Sequence, residues 1–484
     1  MPSSHDARLR QTLRPPDWVN PEPAARYNLV VLGGGPAGLI AALGAAGLGA
    51  KVALVESALL GGDCLNQGCV PSKVLLASAH AAARARSLSH LGVCATEVQV
   101  DFAAVMERAR KTRADIAPHD SPERLRETGV DVFLGHGRFA GRDRVQVGEH
   151  TLRFAKALIA TGAGPTRPRI PGIERALDTH SLWALEALPE SLVVLGGGAV
   201  GCELAQAFGR LGARVHLLER GPRLLPDWPM SAVEVLKEQL RRDGVQIQVG
   251  ARVTSLAGEG PVEVCVEGQA QVVCQRVLVA TGRAPRLDFD PDKAGVQVGA
   301  QGVVVDGRLR STNPDVYACG DVIGVGSTHG ADHQARVVLQ NALFPGGKDA
   351  GALVIPRVLY TEPELAWVGV GPEEAERLGL RCFSHRLEEL DRGRAEGEQG
   401  LCEVYADRGG RIHGACIAAP HAGELLAPLT LAMTQGLGLS QIATTVHPYP
   451  TRSELLFRVA SAWRREQLGE GTARALGWWM GLRR

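Results

Sequence analysis

A stretch of 27 residues occurs twice in this chain. Val193 to Glu219 reproduces Val30 to Glu56 without a gap, at a displacement of 163 residues, and 14 of the 27 positions are identical; roughly two would coincide by chance. Each copy has an apolar triplet, a run of glycines, an Ala/Leu-rich helical segment, a second apolar run and a closing Glu. Strand, glycine turn, helix, strand and acid in that order make a dinucleotide-binding unit. The glycines let the backbone approach a pyrophosphate at a helix N-terminus, and the acid accepts hydrogen bonds from ribose hydroxyls. Gly33, Gly35, Pro36, Gly38 and Glu56 carry these roles in the first copy, and Gly196, Gly198, Gly201 and Glu219 in the second. The fold class expected is α/β, with two Rossmann-like domains.

A chain of 484 residues has room for a third domain. Low aromatic content, 4%, with 59 glycines suits Ala/Val/Leu-rich parallel sheets joined by tight turns. The balance of 53 basic against 52 acidic residues gives no nucleic-acid footprint. No run reaches the ~18 apolar residues of a membrane span, and the first 26 residues lack the apolar run of a signal peptide. Ten cysteines, scattered singly apart from Cys64 and Cys69, fit a reducing cytoplasm. Residues 1–26 read as a flexible arm draped over the body. The charged run Asp101 to Thr128 reads as a solvated helical face.

The stretch directly after the first copy carries the chemistry. It runs Gly61-Gly62-Asp63-Cys64-Leu65-Asn66-Gln67-Gly68-Cys69-Val70-Pro71-Ser72-Lys73. A C-x4-C pair on a helical turn brings both sulfurs to one face, where they can cycle between dithiol and disulfide. Glycines before Cys64, Gly62 among them, allow close approach to a planar cofactor, and Lys73 favours a thiolate. Zinc usually wants C-x2-C pairs with a second pair elsewhere, which this chain does not have, so no metal site is assigned.

This stretch resembles the signature of the pyridine nucleotide-disulfide oxidoreductases, and the resemblance covers about residues 27 to 470. It implies FAD in the first copy and NADH in the second, with NADPH the alternative because Arg220 and Arg223 follow Glu219. By the same resemblance, 27–185 with 311–350 form the FAD domain, 186–310 the NAD(P) domain, and 352–470 an α+β dimerisation domain that completes the partner subunit's active site. The final residues, 471–484, form a Trp-rich tail, read as packing on the dimer surface rather than touching a membrane. Further cofactor contacts implied are Gly137 near adenine, the paired turns at Thr161-Gly162 and Gly282, and Asp321 on the flavin's ribityl chain. Cys69 would lie beside the flavin and Cys64 would be the outer, interchange thiol. Lys73 and Glu203 match the family's Lys-Glu pair beside the flavin.

The C-terminal signature departs from the family. His-Pro-Thr-x-x-Glu is expected, with His as acid/base and Glu orienting it. The run here is His447-Pro448-Tyr449-Pro450-Thr451-Arg452-Ser453-Glu454, which puts Tyr449 in the acid/base position, His447 two residues upstream, and Glu454 in its usual place. Tyrosine, with an ordinary pKa of about 10, is a poor proton shuttle near neutrality. The wording of the redox stretch and this tyrosine are similar to mercuric-reductase-like members, with dihydrolipoyl-dehydrogenase-like chemistry the runner-up. A redox-sensing flavoprotein of negligible turnover is the reading from another class. The oxidant implied is a disulfide, a soft metal ion or another small molecule.

Overall fold

A computed structural model describes residues 3–483 other than Thr96 and Val325, with residues 470–473 described in backbone only. The chain forms two compact units: residues 1–82, 99–220 and 250–353 make the first, and residues 83–98, 221–249 and 354–484 the second.

The first unit opens with helix α1 (Ser4–Leu13), followed by β1 (Tyr27–Leu32), α2 (Pro36–Gly47), β2 (Val52–Glu56), α3 (Gly62–Asn66), α4 (Cys69–Arg86), α5 (Phe102–Ile116), β3 (Val130–Leu134), β4 (Gly137–Gly141), β5 (Arg144–Val147) and β6 (His150–Ile159). Strands β3, β2, β1 and β6 lie side by side in parallel, Val316–Ala318 adds in parallel to β6, and β4 and β5 continue the sheet antiparallel. Parallel strands covered on both faces read as unbroken apolar runs, which is why Val52 to Glu56 is buried at every position. The second copy repeats this core with Ser191–Leu195, Arg214–Glu219 and Arg276–Val279 in parallel, the helix Ala199–Leu211 following the first strand. An antiparallel ribbon of Val253–Ala257, Val262–Val266 and Val272–Cys274 packs its Val264 and Val266 against that core.

Two expectations for this unit need correction. Residues 3–26 are not a loose arm: α1 buries Leu9 and Leu13 in the same core as α2. Further on, Trp18 donates its indole N–H to the Val132 carbonyl (3.3 Å), and the Asn20 side chain brackets Leu134 of β3. Nor is α5 only a solvated face, since Met106, Ala109 and Arg113 are buried. Burial of long charged side chains depends on distant partners, which periodicity does not reveal.

The second unit is built on a five-stranded antiparallel sheet in the order Arg357–Leu359, Glu364–Gly369, Ile412–Ala419, Leu401–Ala406, Arg381–Arg386. The helices Ala422–Thr434, Leu439–Thr444 and Glu454–Gln467 share its core. The helix Met230–Arg242 belongs to this unit: Ser231 donates to Glu403 (2.8 Å), and the preceding Trp228 ring lies 6.1 Å from Trp367. In the C-terminal helix Glu470–Gly481, Leu476, Trp478, Trp479 and Met480 are exposed in the protomer.

Candidate active site

The two glycine turns agree in detail. Gly33 has φ +108° and Gly196 φ +110°, a left-handed region that side chains disfavour. A Cβ on Gly33 would meet the Ala160 carbonyl oxygen at 2.3 Å, and one on Gly196 the Ala280 carbonyl oxygen at 2.4 Å. Glu56 accepts a hydrogen bond from the Gly34 N–H, and Glu219 one from the Gly197 N–H, both at 2.6 Å. The acids therefore brace the glycine loops from behind as well as closing the second strands. Glu56 also accepts from the Ala58 N–H (2.6 Å), so both of its oxygens hold backbone. Helix α2 begins with Gly35 as N-cap and no side-chain cap, leaving its first N–H groups for an anionic ligand.

The redox stretch packs on the first cradle. Gly61 (φ +84°) and Gly62 (φ +57°) turn the chain into α3, and a Cβ on Gly62 would stand 2.7 Å from the Gly35 Cα. Residues present at this cradle fit a flavin dinucleotide: uncapped N–H groups, glycines where any side chain would collide, and Thr161 and Gly162 at the end of β6. Gly137, at the start of β4, lies against Leu32 and Val55, the last apolar residues of the two strands that end at the cradle. The Thr161 hydroxyl donates to the Arg286 carbonyl (2.9 Å), tying the first turn to the chain just after the second, which contains Gly282.

Cys64 is half-buried and Cys69 exposed. Cys69 Sγ lies 3.3 Å from the Thr328 hydroxyl, at the first residue of the helix Thr328–Leu343. A hydrogen bond from Cys64 is the largest influence on Cys69; burial opposes it, and the Thr328 hydroxyl and Lys73 ammonium help, lowering the Cys69 thiol to about 6. Cys64 is pushed far up by the same bond and by burial, so it holds the proton. Lys73 Nζ sits 2.9 Å from Glu203 Oε2, and Glu203, far from being a solvated helix acid, is only 7% exposed. Because the folded value of Cys69 lies below the ordinary 9, the thiolate's stabilising contribution is fully present above about pH 9 and is lost as pH falls through about 6. Alkylation of Cys69 in the dithiol form is accordingly expected to reach half its limiting rate near pH 6, measured by mass spectrometry of iodoacetamide-treated protein; a midpoint near 9 contradicts this geometry.

Sequence reasoning missed a charged knot beside Cys64. Burial pushes the Asp63 carboxyl up, but the His180 ring, its Nε2 3.7 Å away, and the Arg286 and Arg283 guanidinia outweigh it and hold Asp63 well below the usual carboxylate range. Arg283 Nε also lies 3.5 Å from Asp321 Oδ2, whose carboxyl burial pushes up. Arg283 stands next to the second small-residue turn in the sequence, but its contact with a residue 220 positions away leaves no local signal.

In the second unit, the Tyr449 hydroxyl donates to Asp391 Oδ2 (2.9 Å) and not to Glu454; this bond raises the tyrosine pKa further. His447 holds Nε2 3.4 Å from the Ile442 carbonyl, its ring centroid 5.9 Å from that of Phe457. Glu454 is buried, with Oε1 at 3.5 Å from Arg458 and Oε2 without a hydrogen-bond partner among the described residues. Arg452 donates to Glu398 (2.7 Å) and Glu396, pinning the signature loop to the segment that begins at Asp391.

Residues 27–335 match the family described as pyridine nucleotide-disulphide oxidoreductase, and residues 355–459 match its dimerisation domain. The chain belongs to this family. A dihydrolipoyl dehydrogenase of Thermus scotoductus is 34% identical over 90% of this chain and 97% of its own length. A mercuric reductase of Streptomyces lividans is 33% identical over 89% and 94% respectively. Among solved structures, the Cu(II) complex of the HOCl-induced flavoprotein disulfide reductase RclA from Escherichia coli aligns with a TM-score of 0.80 at 27% identity, covering 91% of this chain and 100% of that one. The protein is thus an NAD(P)H-dependent FAD disulfide oxidoreductase of α/β fold with a dimerisation domain. No helix among the described residues is long and apolar enough to cross a membrane.

Proposed function

We propose that Cys64 and Cys69 are the disulfide that receives the electrons, and that the physiological oxidant is a soft metal ion or another small acceptor needing no protein proton shuttle. The observation that carries this reading is the asymmetry of the pair: Cys69 is biased to thiolate, while Cys64 retains its proton. An outer thiol that attacks a dithiol substrate needs a base. Tyr449 is a donor already committed to Asp391, and the His447 Nε2 faces a carbonyl. Two sulfurs at the junction of α3 and α4 suit a thiophilic metal ion. When bound, FAD supplies hydride acceptance from the nicotinamide and two-electron delivery to sulfur.

The chain's own residues do the remainder. The Gly33–Gly38 turn, Glu56, Gly62, Thr161-Gly162 and Asp321 hold FAD, while Gly196, Gly198, Gly201 and Glu219 hold the nicotinamide nucleotide, with Gly282 alongside. Lys73, paired with Glu203, places positive charge where negative charge develops. NADH is preferred, because Arg223 donates to the Leu225, Pro226 and Trp228 carbonyls of its own loop and Glu219 disfavours a 2′-phosphate. The dimerisation domain supports a homodimer whose sites are shared between subunits, and the scattered cysteines support a cytoplasmic setting.

The test is NADH oxidation with lipoamide, oxidised glutathione, and Hg(II) or Cu(II) thiolate complexes as acceptors. A positioned acid/base contributes about 10²–10⁴-fold, so lipoamide turnover is expected at least ~10²-fold below that of a metal complex. Rapid lipoamide turnover would overturn the assignment and favour the second reading, dihydrolipoyl dehydrogenase, which the 34% identity to the Thermus scotoductus enzyme supports.

A further inference from the structure

We propose that the N-terminal helix α1 is a positioning element for the redox loop, with Asp6 as its central residue. The inference rests on the reading of Cys64 and Cys69 as the electron-accepting pair. Two carbonyls lie midway between these cysteines, those of Asn66 and Gln67, and each is held by a donor from elsewhere in the first unit. Arg113 of α5 donates through Nη1 to the Asn66 carbonyl (2.8 Å), and Trp183 donates its indole N–H to the Gln67 carbonyl (2.8 Å). Both donors lead back to α1. Arg113 donates its other Nη to Asp6 Oδ1 (2.7 Å). Arg110, 3.5 Å from Asp6 Oδ2, donates to the Trp183 and Leu185 carbonyls (3.3 and 3.1 Å) and so fixes the segment that carries the indole.

Arg113 is 7% exposed and its Nε has no hydrogen-bond partner among the described residues. A guanidinium buried to that degree needs a carboxylate beside it to stay charged and fixed in direction, and Asp6 supplies it. The remainder of α1 secures Asp6. Leu9 and Leu13 are buried in the core, Ser3 donates to Glu107 (2.7 Å), and Arg8 pairs with Asp115 (2.5 Å). Beyond the helix, Arg14 donates to the Ser57 and Ala58 carbonyls (2.6 and 2.8 Å), directly after Glu56, which holds the first glycine loop. One N-terminal segment thus grips the redox loop between its sulfurs and the turn behind the dinucleotide cradle. A loop that closes and opens a disulfide changes its backbone at these positions, so restraining the two carbonyls sets how readily the dithiol closes.

The experiment is dithiol–disulfide equilibration of the flavin-loaded protein in graded dithiothreitol buffers, with Cys64 and Cys69 scored by alkylation and mass spectrometry. Asp6→Asn is expected to move the equilibrium constant by about fivefold or more relative to wild type, and Asp6→Glu to return most of that change. An Asp6→Asn protein that melts at lower temperature but keeps the wild-type constant would show α1 to be only a structural brace and would overturn the proposal. Should Asp6→Asn not yield flavin-loaded protein, Arg113→Lys, which retains charge but cannot reach both Asp6 and Asn66, is measured in the same way, and a wild-type constant there overturns it equally. A wild-type protein in which Cys64 and Cys69 never interconvert with buffer would instead defeat the underlying reading of the pair.

Discussion

Gly38→Ala is expected to yield protein that does not hold flavin, whereas Gly201→Ala is expected to stay flavin-loaded and lose reduction by NADH. The two positions are equivalent in the repeat, and the steric demand is the same in each: an added Cβ would stand 1.8 Å from the carbonyl oxygen of Gly33 or of Gly196. Backbone cannot yield as a flexible side chain can, so the glycine turn itself must move. Overpacking of this kind costs about 1–3 kcal/mol, and a displacement near 1 Å at a binding site costs about 10²-fold in rate. The consequences differ because the proposed function assigns different nucleotides to the two turns. The readouts are the flavin absorbance of the purified protein and the rate of anaerobic bleaching by NADH, with dithionite as the chemical control. A Gly201→Ala protein that NADH bleaches at the wild-type rate would mean that the second turn does not hold the nicotinamide nucleotide.

The repeat was legible because its requirements are local. A left-handed φ, a carbonyl within 2.4 Å of a would-be Cβ and an acid closing the second strand each leave a fixed residue at a fixed spacing, and these recur at a displacement of 163 positions. The glycine-led bend that carries Cys64 was legible for the same reason. Asp63 with Arg283 and Arg286, or Asp6 with Arg113, are contacts across more than a hundred positions that satisfy buried charge, Arg113 reaches Asn66 across 47, and in sequence such residues resemble any solvated face. The Arg/Glu alternation of Asp101 to Thr128 misled in this way: the residue that matters, Arg113, is defined by a carboxylate on a helix that read as a loose arm. Tyr449 is the intermediate case. Its departure from the signature was visible in the sequence, but its bond to Asp391 was not, because nothing at position 391 distinguishes that acid from its neighbours.

Cys64→Ser and Cys64→Ala are both expected to lower acceptor turnover by about 10³-fold or more, since a hydroxyl or a methyl cannot serve as the exchanging sulfur. They are expected to differ in what they do to Cys69. The hydrogen bond from Cys64 is the largest influence lowering the Cys69 thiol, ahead of the Thr328 hydroxyl and the Lys73 ammonium. A serine hydroxyl can still donate to the thiolate, so in Cys64→Ser the alkylation profile of Cys69 should stay close to its midpoint of about 6. Alanine removes the donor and leaves Thr328 and Lys73 to oppose burial alone, so in Cys64→Ala the midpoint should climb toward the ordinary thiol value of 9. Reduction of the flavin by NADH should survive in both, because the site proposed for the nicotinamide nucleotide contains neither cysteine. Stopped-flow bleaching, acceptor turnover and the pH profile of alkylation together separate the roles. If either variant kept wild-type turnover with every acceptor, electrons would be leaving by a route that bypasses the pair; if the two variants gave the same Cys69 midpoint, the hydrogen bond between the sulfurs would not be what lowers it.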